Sequence, residues 1–140
     1  MTKSELKVLI SDKLSEAAVK IFTKNNIQAD FYPELGRMPE ELTKKIIDYD
    51  GLAIRSNTRV TKHLINAGTK LKVIGRAGIG VDNIDMEAAS AKGIVVMNTP
   101  FGNSITTAEH TIAMILSVAR KIPTANFSTH AGKWEKTKYL

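Results

Sequence analysis

Five short apolar runs recur through the first hundred residues, at 6–10 (LKVLI), 27–32 (IQADFY), 51–54 (GLAI), 72–74 (KVI) and 94–97 (IVVM). Segments with helical spacing separate them. Leu14, Ala18, Ile21 and Phe22 repeat at intervals of three and four before Asn25 and Asn26 break the pattern. Pro39, followed by Glu40 and Glu41, reads as the first turn of a helix with Leu42, Ile46 and Ile47 on its buried stripe. Residues 60–67 and 85–91 complete the set, the latter with Met86, Ala89 and Ser90 on one side. Short strands alternating with helices through short loops predict an α/β fold, a doubly wound parallel sheet of five strands joined by right-handed crossovers. The first run carries no polar residue on either face after Lys7, as a central strand buried on both sides requires.

Ligands of such sheets lie beyond the carboxyl ends of the strands. That rule assigns Ser11, Arg55, Ser56, Arg76, Gly78 and Asn98 to one rim. The stretch KVIGRAGIGVDNID, from Lys72 to Asp85, interleaves Gly75, Gly78 and Gly80 with Arg76. Glycines after a strand either form a tight turn or let backbone N–H groups approach a ligand. Arg55 and Arg76 are expected to converge on one crevice and to hold a carboxylate or phosphate. Gly78-x-Gly80-x-x-Asn83 mimics a dinucleotide fingerprint, but Asn83 stands where the third glycine belongs and Asn98 where a ribose-binding acid would follow.

Composition narrows the function classes. The net charge of +6 is spread along the chain, with +3 in residues 1–100 (15 basic, 12 acidic) and +3 in residues 101–140 (5 basic, 2 acidic). Without a basic block interleaved with aromatics, a small anion is a better partner than nucleic acid. There are no cysteines, which excludes disulfides and thiolate metal sites and fits a reducing, cytoplasmic compartment. No apolar run is long enough to suggest a membrane span, and the start, MTKSELKVLI, lacks the apolar core of a signal peptide. His63, His110 and His130 read as structural, and no pair of His or carboxylate residues has metal-ligand spacing.

After Met97 the pattern changes. A turn-rich loop, NTPFGN, leads to a helix with Thr106 and Glu109 as its capping box and Ala108, Thr111, Ile112, Ile115, Leu116 and Ala119 at helical spacing. It is expected to stop at Arg120 and Lys121, before Pro123. The tail has little apolar content besides Trp134, Tyr139 and Leu140. An apolar helix without a sheet of its own is surface for another domain or a second subunit.

RSNT (Arg55 to Thr58), KVIGRAGIGVDNID, the run ending PFGNS at Ser104, the AEHTIAMILSVAR helix and GKWE (Gly132 to Glu135) resemble the amino-terminal part of D-isomer-specific 2-hydroxyacid dehydrogenases. The nearest likeness is to members that oxidise 3-phospho-D-glycerate to 3-phosphonooxypyruvate in serine biosynthesis. The resemblance implies a flavodoxin-like substrate domain over 1–100, completed by a carboxyl-terminal segment. It implies that 101–140 form a crossover helix and the start of an NAD-binding domain and dimerising arm, giving a homodimer or higher oligomer through 104–140. It also implies substrate binding by Arg55, Ser56, Arg76, Gly78 and Asn103, and a junction with the nicotinamide of NAD at Ile79, where the family often has Thr. The NAD fingerprint and the catalytic Arg, Glu and His are expected beyond Leu140, so these residues alone should not turn over substrate.

Two other classes were weighed. A receiver domain shares the fold and would use Asp12, yet Asp50 precedes the third strand and Arg55 ends it, the wrong sign for magnesium and a phospho-acceptor. A free-standing anion-binding or dimerising module is the other.

Overall fold

The computed structural model describes residues 6–139. The chain forms two compact units, Met1–Gly102 and Asn103–Leu140. The first holds five parallel strands, β1 (Lys7–Ile10), β2 (Gln28–Phe31), β3 (Gly51–Ile54), β4 (Val73–Arg76) and β5 (Val95–Met97), in the order β2-β1-β3-β4-β5. This is the flavodoxin-like order expected from the sequence. Between them run α1 (Glu16–Lys24), α2 (Pro39–Lys45), α3 (Lys62–Ala67) and α4 (Met86–Ala91).

The helix ends follow local chemistry. Ser15 caps α1 by accepting from the Ala18 N–H, and Asn26 ends it at φ 56°, with the Ile27 N–H reaching back to the Phe22 carbonyl. Pro39 opens α2 at its first turn. Gly93, at φ 68°, ends α4: its N–H returns to the Ser90 carbonyl and the Ile94 N–H to the Ala89 carbonyl. That cap delivers the buried Ile94 directly into β5.

Register shows what each sheet face does. Leu52 pairs with Ile74 and Ile74 with Val96, so these share a face with Leu9. That face forms the main core with Leu42 and Ile46 after α2, Leu64 and Ile65 of α3, and Ala88 and Ala89 of α4. Each fully buried Leu or Ile contributes roughly 1.5–3 kcal/mol. Right-handed crossovers put α1 on the other face, because the chain reverses direction after β2. There Gly51, Ala53 and Gly75 leave the β3–β4 surface low. A Cβ added at Gly75 would meet nothing within 4 Å, and Val95 and Met97 are 57% and 55% exposed.

Several local readings are corrected. Gly75 and Arg76 belong to β4, whose ladder extends to the Ile54–Arg76 pair. Val60 is not helical but forms an isolated bridge with Ile84, and α3 begins after the Thr61 cap. Ile47 is exposed, because the helix tightens into a 3-10 turn at Ile46–Asp48 that buries Ile46. In α4 Ala88 joins Ala89 inside, while Met86 and Ser90 are exposed.

The second unit contains α5 (Ser104–Ala119) and α6 (Ile122–His130). Asn103, not Thr106, precedes the first turn of α5, so the expected capping box lies inside the helix. Lys121 at φ 51° breaks the chain and Pro123 starts α6 rather than only stopping α5, so the tail is more helical than its composition suggests. Ser128 donates to Glu135 at 2.7 Å, and this bond, ahead of the nearby Lys138, holds the Glu135 carboxyl below the usual range. Leu140 lies outside the described residues. Among those described, no helix is long and apolar enough to cross a membrane.

Candidate functional site

The sheet changes winding direction between β1 and β3, and their carboxyl ends form the switch point where such folds bind ligands. Ser11 and Asp12 leave β1 fully buried. Asp12 Oδ2 accepts from the N–H groups of Arg55 at 2.7 Å and Thr58 at 3.1 Å. From the loop after β4, Asn83 Nδ2 donates to the carbonyls of the same two residues, at 2.8 and 2.7 Å. The 55–58 loop is thereby held at both ends through both kinds of backbone group. The Ser11 and Thr58 hydroxyls bond at 2.9 Å, and the Gly36 N–H donates to the Ser11 carbonyl at 2.8 Å.

Arg55 and Ser56 are exposed on this loop, and Arg76 is half-buried at the end of β4. The two guanidinium groups do not share a partner. Arg55 Nη1 reaches back over β1 to the Lys13 carbonyl at 3.4 Å, whereas Arg76 Nη1 donates to the Gly80 carbonyl of its own loop. The expected convergence is therefore corrected, and register explains the difference. Arg76 is paired with Ile54 and shares its face, so Arg55, one residue further on, starts from the other side of the sheet.

The glycine loop beside them has its carbonyls occupied. Gly78 O accepts from the Thr99 N–H at 2.9 Å, Ile79 O from Asn98 Nδ2 at 2.7 Å and Gly80 O from Arg76. The N–H groups of Ile79 and Gly80 have no acceptor among the described residues. A Cβ on Gly78 would lie 2.9 Å from Arg76 Nη1, and one on Gly80 would lie 2.7 Å from Asp82 Oδ1. The glycines thus make room for Arg76 to fold over the loop. The result is a strand-end loop carrying a permanent cation, N–H groups without an acceptor among the described residues and an exposed Ile79, suited to a small anion, with the Arg55 loop tied to it through Asn83.

This loop is not a pyrophosphate turn. The next helix begins only at Met86, and the Asp85 side chain already takes the Ala88 N–H at its start. The exposed Ile79 and the Ile79 and Gly80 N–H groups can meet at most one part of a dinucleotide. No group of three or more His, Asp or Glu among them could hold a metal ion. His63, His110 and His130 lie exposed on α3, α5 and α6. Asn103 begins the second unit, exposed and without a side-chain cap bond.

A wide cleft of about 860 Å³ lies at the opposite, amino-terminal edge of the sheet, lined by Lys7, Lys44, Lys70, Lys72, Tyr49 and Asp50 among others. Two of its five lysines are paired: Lys72 meets Asp50 at 2.8 Å and Lys70 meets Asp48 at 3.7 Å. The Lys72 bond, opposed by burial and aided by the Lys7 N–H, draws the Asp50 carboxyl down. Size alone does not make this the site: it lies away from the switch point at the carboxyl ends of β1 and β3.

Sequence reasoning passed over Asp12 and Asn83 in this role. From the sequence Asp12 reads only as a phospho-acceptor pocket residue and Asn83 only as a failed glycine. Their shared signal is a short side chain with paired hydrogen-bonding atoms at a strand end.

Comparison with known proteins agrees with this geometry. The family model described as D-isomer specific 2-hydroxyacid dehydrogenase, catalytic domain, matches residues 8–134. D-3-phosphoglycerate dehydrogenase of Homo sapiens is 50% identical over 134 residues, and that of Archaeoglobus fulgidus 46% over 135; each alignment covers 96% of this chain and 25% of the relative. The chain thus spans about a quarter of the length of these curated relatives. The NAD+-bound 3-phosphoglycerate dehydrogenase of Entamoeba histolytica superposes with a TM-score of 0.72 at 36% identity, covering 84% of this chain and 40% of that one. The chain belongs to the D-isomer-specific 2-hydroxyacid dehydrogenase family.

Proposed function

We propose that this chain is the substrate-domain portion of an NAD-dependent oxidoreductase that converts 3-phospho-D-glycerate to 3-phosphonooxypyruvate in serine biosynthesis. The observation that carries the reading is the strand-end loop beside Arg76: its carbonyls at 78–80 are occupied while the Ile79 and Gly80 N–H groups have no acceptor among the described residues, and Asn83 ties it to the loop of Arg55. A phosphorylated hydroxyacid offers two anions for such donors. Arg55, Ser56, Arg76 and Gly78 hold its carboxylate and phosphate, and on closing around substrate the two guanidinium groups exchange their single carbonyl contacts for charge-assisted bonds. Ile79 packs at the junction with the nicotinamide, and Asn103 sits at the interdomain cleft. NAD, when bound, would supply the hydride acceptor for C2, and the hydroxyl proton would pass to a histidine outside these residues.

In this reading residues 1–100 are the substrate domain, and 101–140 are the crossover helix and the beginning of the NAD domain and dimerising arm. Two surfaces support it. At the β5 end of the sheet Val95 and Met97 are exposed, as a domain completed by further chain requires. On α5 and α6, Ile112, Ile115, Leu116 and Phe127 are exposed, as a second subunit or domain requires. The 140 residues alone do not turn over.

Titration of the 15N-labelled chain with 3-phospho-D-glycerate tests the site. Saturable shifts are expected at Arg55, Ser56, Arg76 and the 78–80 amides, weakened by Arg55→Ala and Arg76→Ala. Unchanged spectra at millimolar ligand would end the reading. Sedimentation equilibrium tests the arm, with a dimer dissociated by Ile112→Glu as the expected result.

A further inference from the structure

We propose that Asp12 and Asn83 are positioning residues for the anion site: they fix the 55–58 loop so that Arg55 and the intervening N–H groups meet the ligand already ordered. The inference rests on the substrate-domain reading above and adds two residues that never touch substrate in it.

The loop sits between two complementary side chains. Asp12 offers one oxygen to two N–H groups, those of Arg55 and Thr58, and Asn83 offers one nitrogen to the two carbonyls of the same residues. Four bonds from two side chains thus satisfy both backbone groups at each end of the loop. Between the pinned ends, the N–H groups of Ser56 and Asn57 find no acceptor among the described residues, and both residues are exposed. Asp12 is fully buried, so it reaches ligand only through Arg55.

The two holders come from different places in the chain, the end of β1 and the loop after the Arg76 strand. Asn83 therefore ties the Arg55 loop to the element carrying Arg76, and the spacing of the two cations depends on it. Leaving a backbone residue free until ligand binds costs about tenfold in affinity for each residue then ordered. The chemistry is also directional. Asp12→Asn retains an oxygen for the two N–H groups, whereas Asn83→Asp sets an oxygen against two carbonyl oxygens.

The test uses the 15N-labelled chain, with 3-phospho-D-glycerate as probe and amide exchange as a second readout. In Asp12→Ala and Asn83→Ala, the Arg55 and Thr58 amides are expected to exchange faster and the Kd to rise tenfold or more. The Leu52 and Ile74 amide shifts should hold. Asp12→Asn should restore affinity to within about threefold of the parent. Should the buried Asp12→Ala variant not fold, Asn83→Ala, at a half-buried position, carries the measurement. Parent affinity in Asn83→Ala despite faster exchange overturns the proposal while leaving the substrate reading intact. A parent chain that does not bind the probe overturns both.

Discussion

Gly36 is the residue whose replacement most directly tests how the loop bearing the arginines is packed. A Cβ built there would lie 2.1 Å from Thr58 Oγ1, 3.1 Å from Thr58 Cβ and 3.0 Å from the Ser11 carbonyl oxygen. The first distance is far inside contact, and Thr58 is fully buried. In Gly36→Ala the Thr58 hydroxyl must move and give up its 2.9 Å bond to Ser11 Oγ, which is itself buried. Overpacking costs about 1–3 kcal/mol and a buried hydroxyl without a partner about 1–3 more, so a loss of about 3–4 kcal/mol is expected. That is a large share of the roughly 5–15 kcal/mol that holds a domain folded. Thr58→Ala removes the clashing oxygen but orphans Ser11, at about 2–3 kcal/mol. If the clash is the cause, the double variant should fall short of the summed costs by about 1–2 kcal/mol. Urea unfolding followed by the methyl signals of Ile54 and Ile74 reports on this unit, since the single Trp, Trp134, lies in the other. Strict additivity, or a Gly36→Ala variant within about 0.5 kcal/mol of the parent, would refute the packing argument.

Three further outcomes are expected. Asp50 is drawn below the usual carboxylate pKa by Lys72, so the pair stabilises above about pH 4 and its contribution fades as pH falls through the lower folded value. With Lys72 side-chain exposure at 68%, Asp50→Asn should cost only about 0.5–1 kcal/mol at neutral pH, a difference that shrinks in paired urea titrations as the pH falls below about 4. Burial first, and then the 2.7 Å bond to Asp30, raise the Tyr49 phenol. Its stabilisation is present below about pH 10 and lost above it; absorbance titration should show Tyr49 ionising only on unfolding, and Tyr49→Phe should cost about 1–2 kcal/mol at pH 7. Gly93 ends α4 in the left-handed region with open space around it, so Gly93→Ala should lose about 1 kcal/mol from backbone strain alone, and Gly93→Asn less, by urea midpoint at unchanged slope.

What was legible in the sequence was what neighbouring residues decide together. β1 and β3 declare themselves because strands covered on both faces are apolar throughout, and Asn26 and Pro39 mark helix ends by their own backbone preferences. What was not legible depends on residues far apart in the chain. Val60 reads as helical until it is paired with Ile84. Gly75 and Arg76 read as loop until β3 extends alongside them, and the two arginines read as a pair until the register separates their starting faces. Pro123 reads as a stop because the left-handed Lys121, which lets a second helix begin there, leaves no trace in the residue type.

Asn83 shows how a departure from a motif can carry information. As the third position of a dinucleotide turn it is a defect, because a side chain there obstructs the close approach of helix and strand that glycine permits. In this fold the helix begins only at Met86, and the amide spans to the Arg55 and Thr58 carbonyls at 2.8 and 2.7 Å. A glycine could make neither bond. The residue that rules out a pyrophosphate turn is thus the one that ties the loop of Arg55 to that of Arg76, and the anion rim and the absence of a nucleotide turn follow from one side chain.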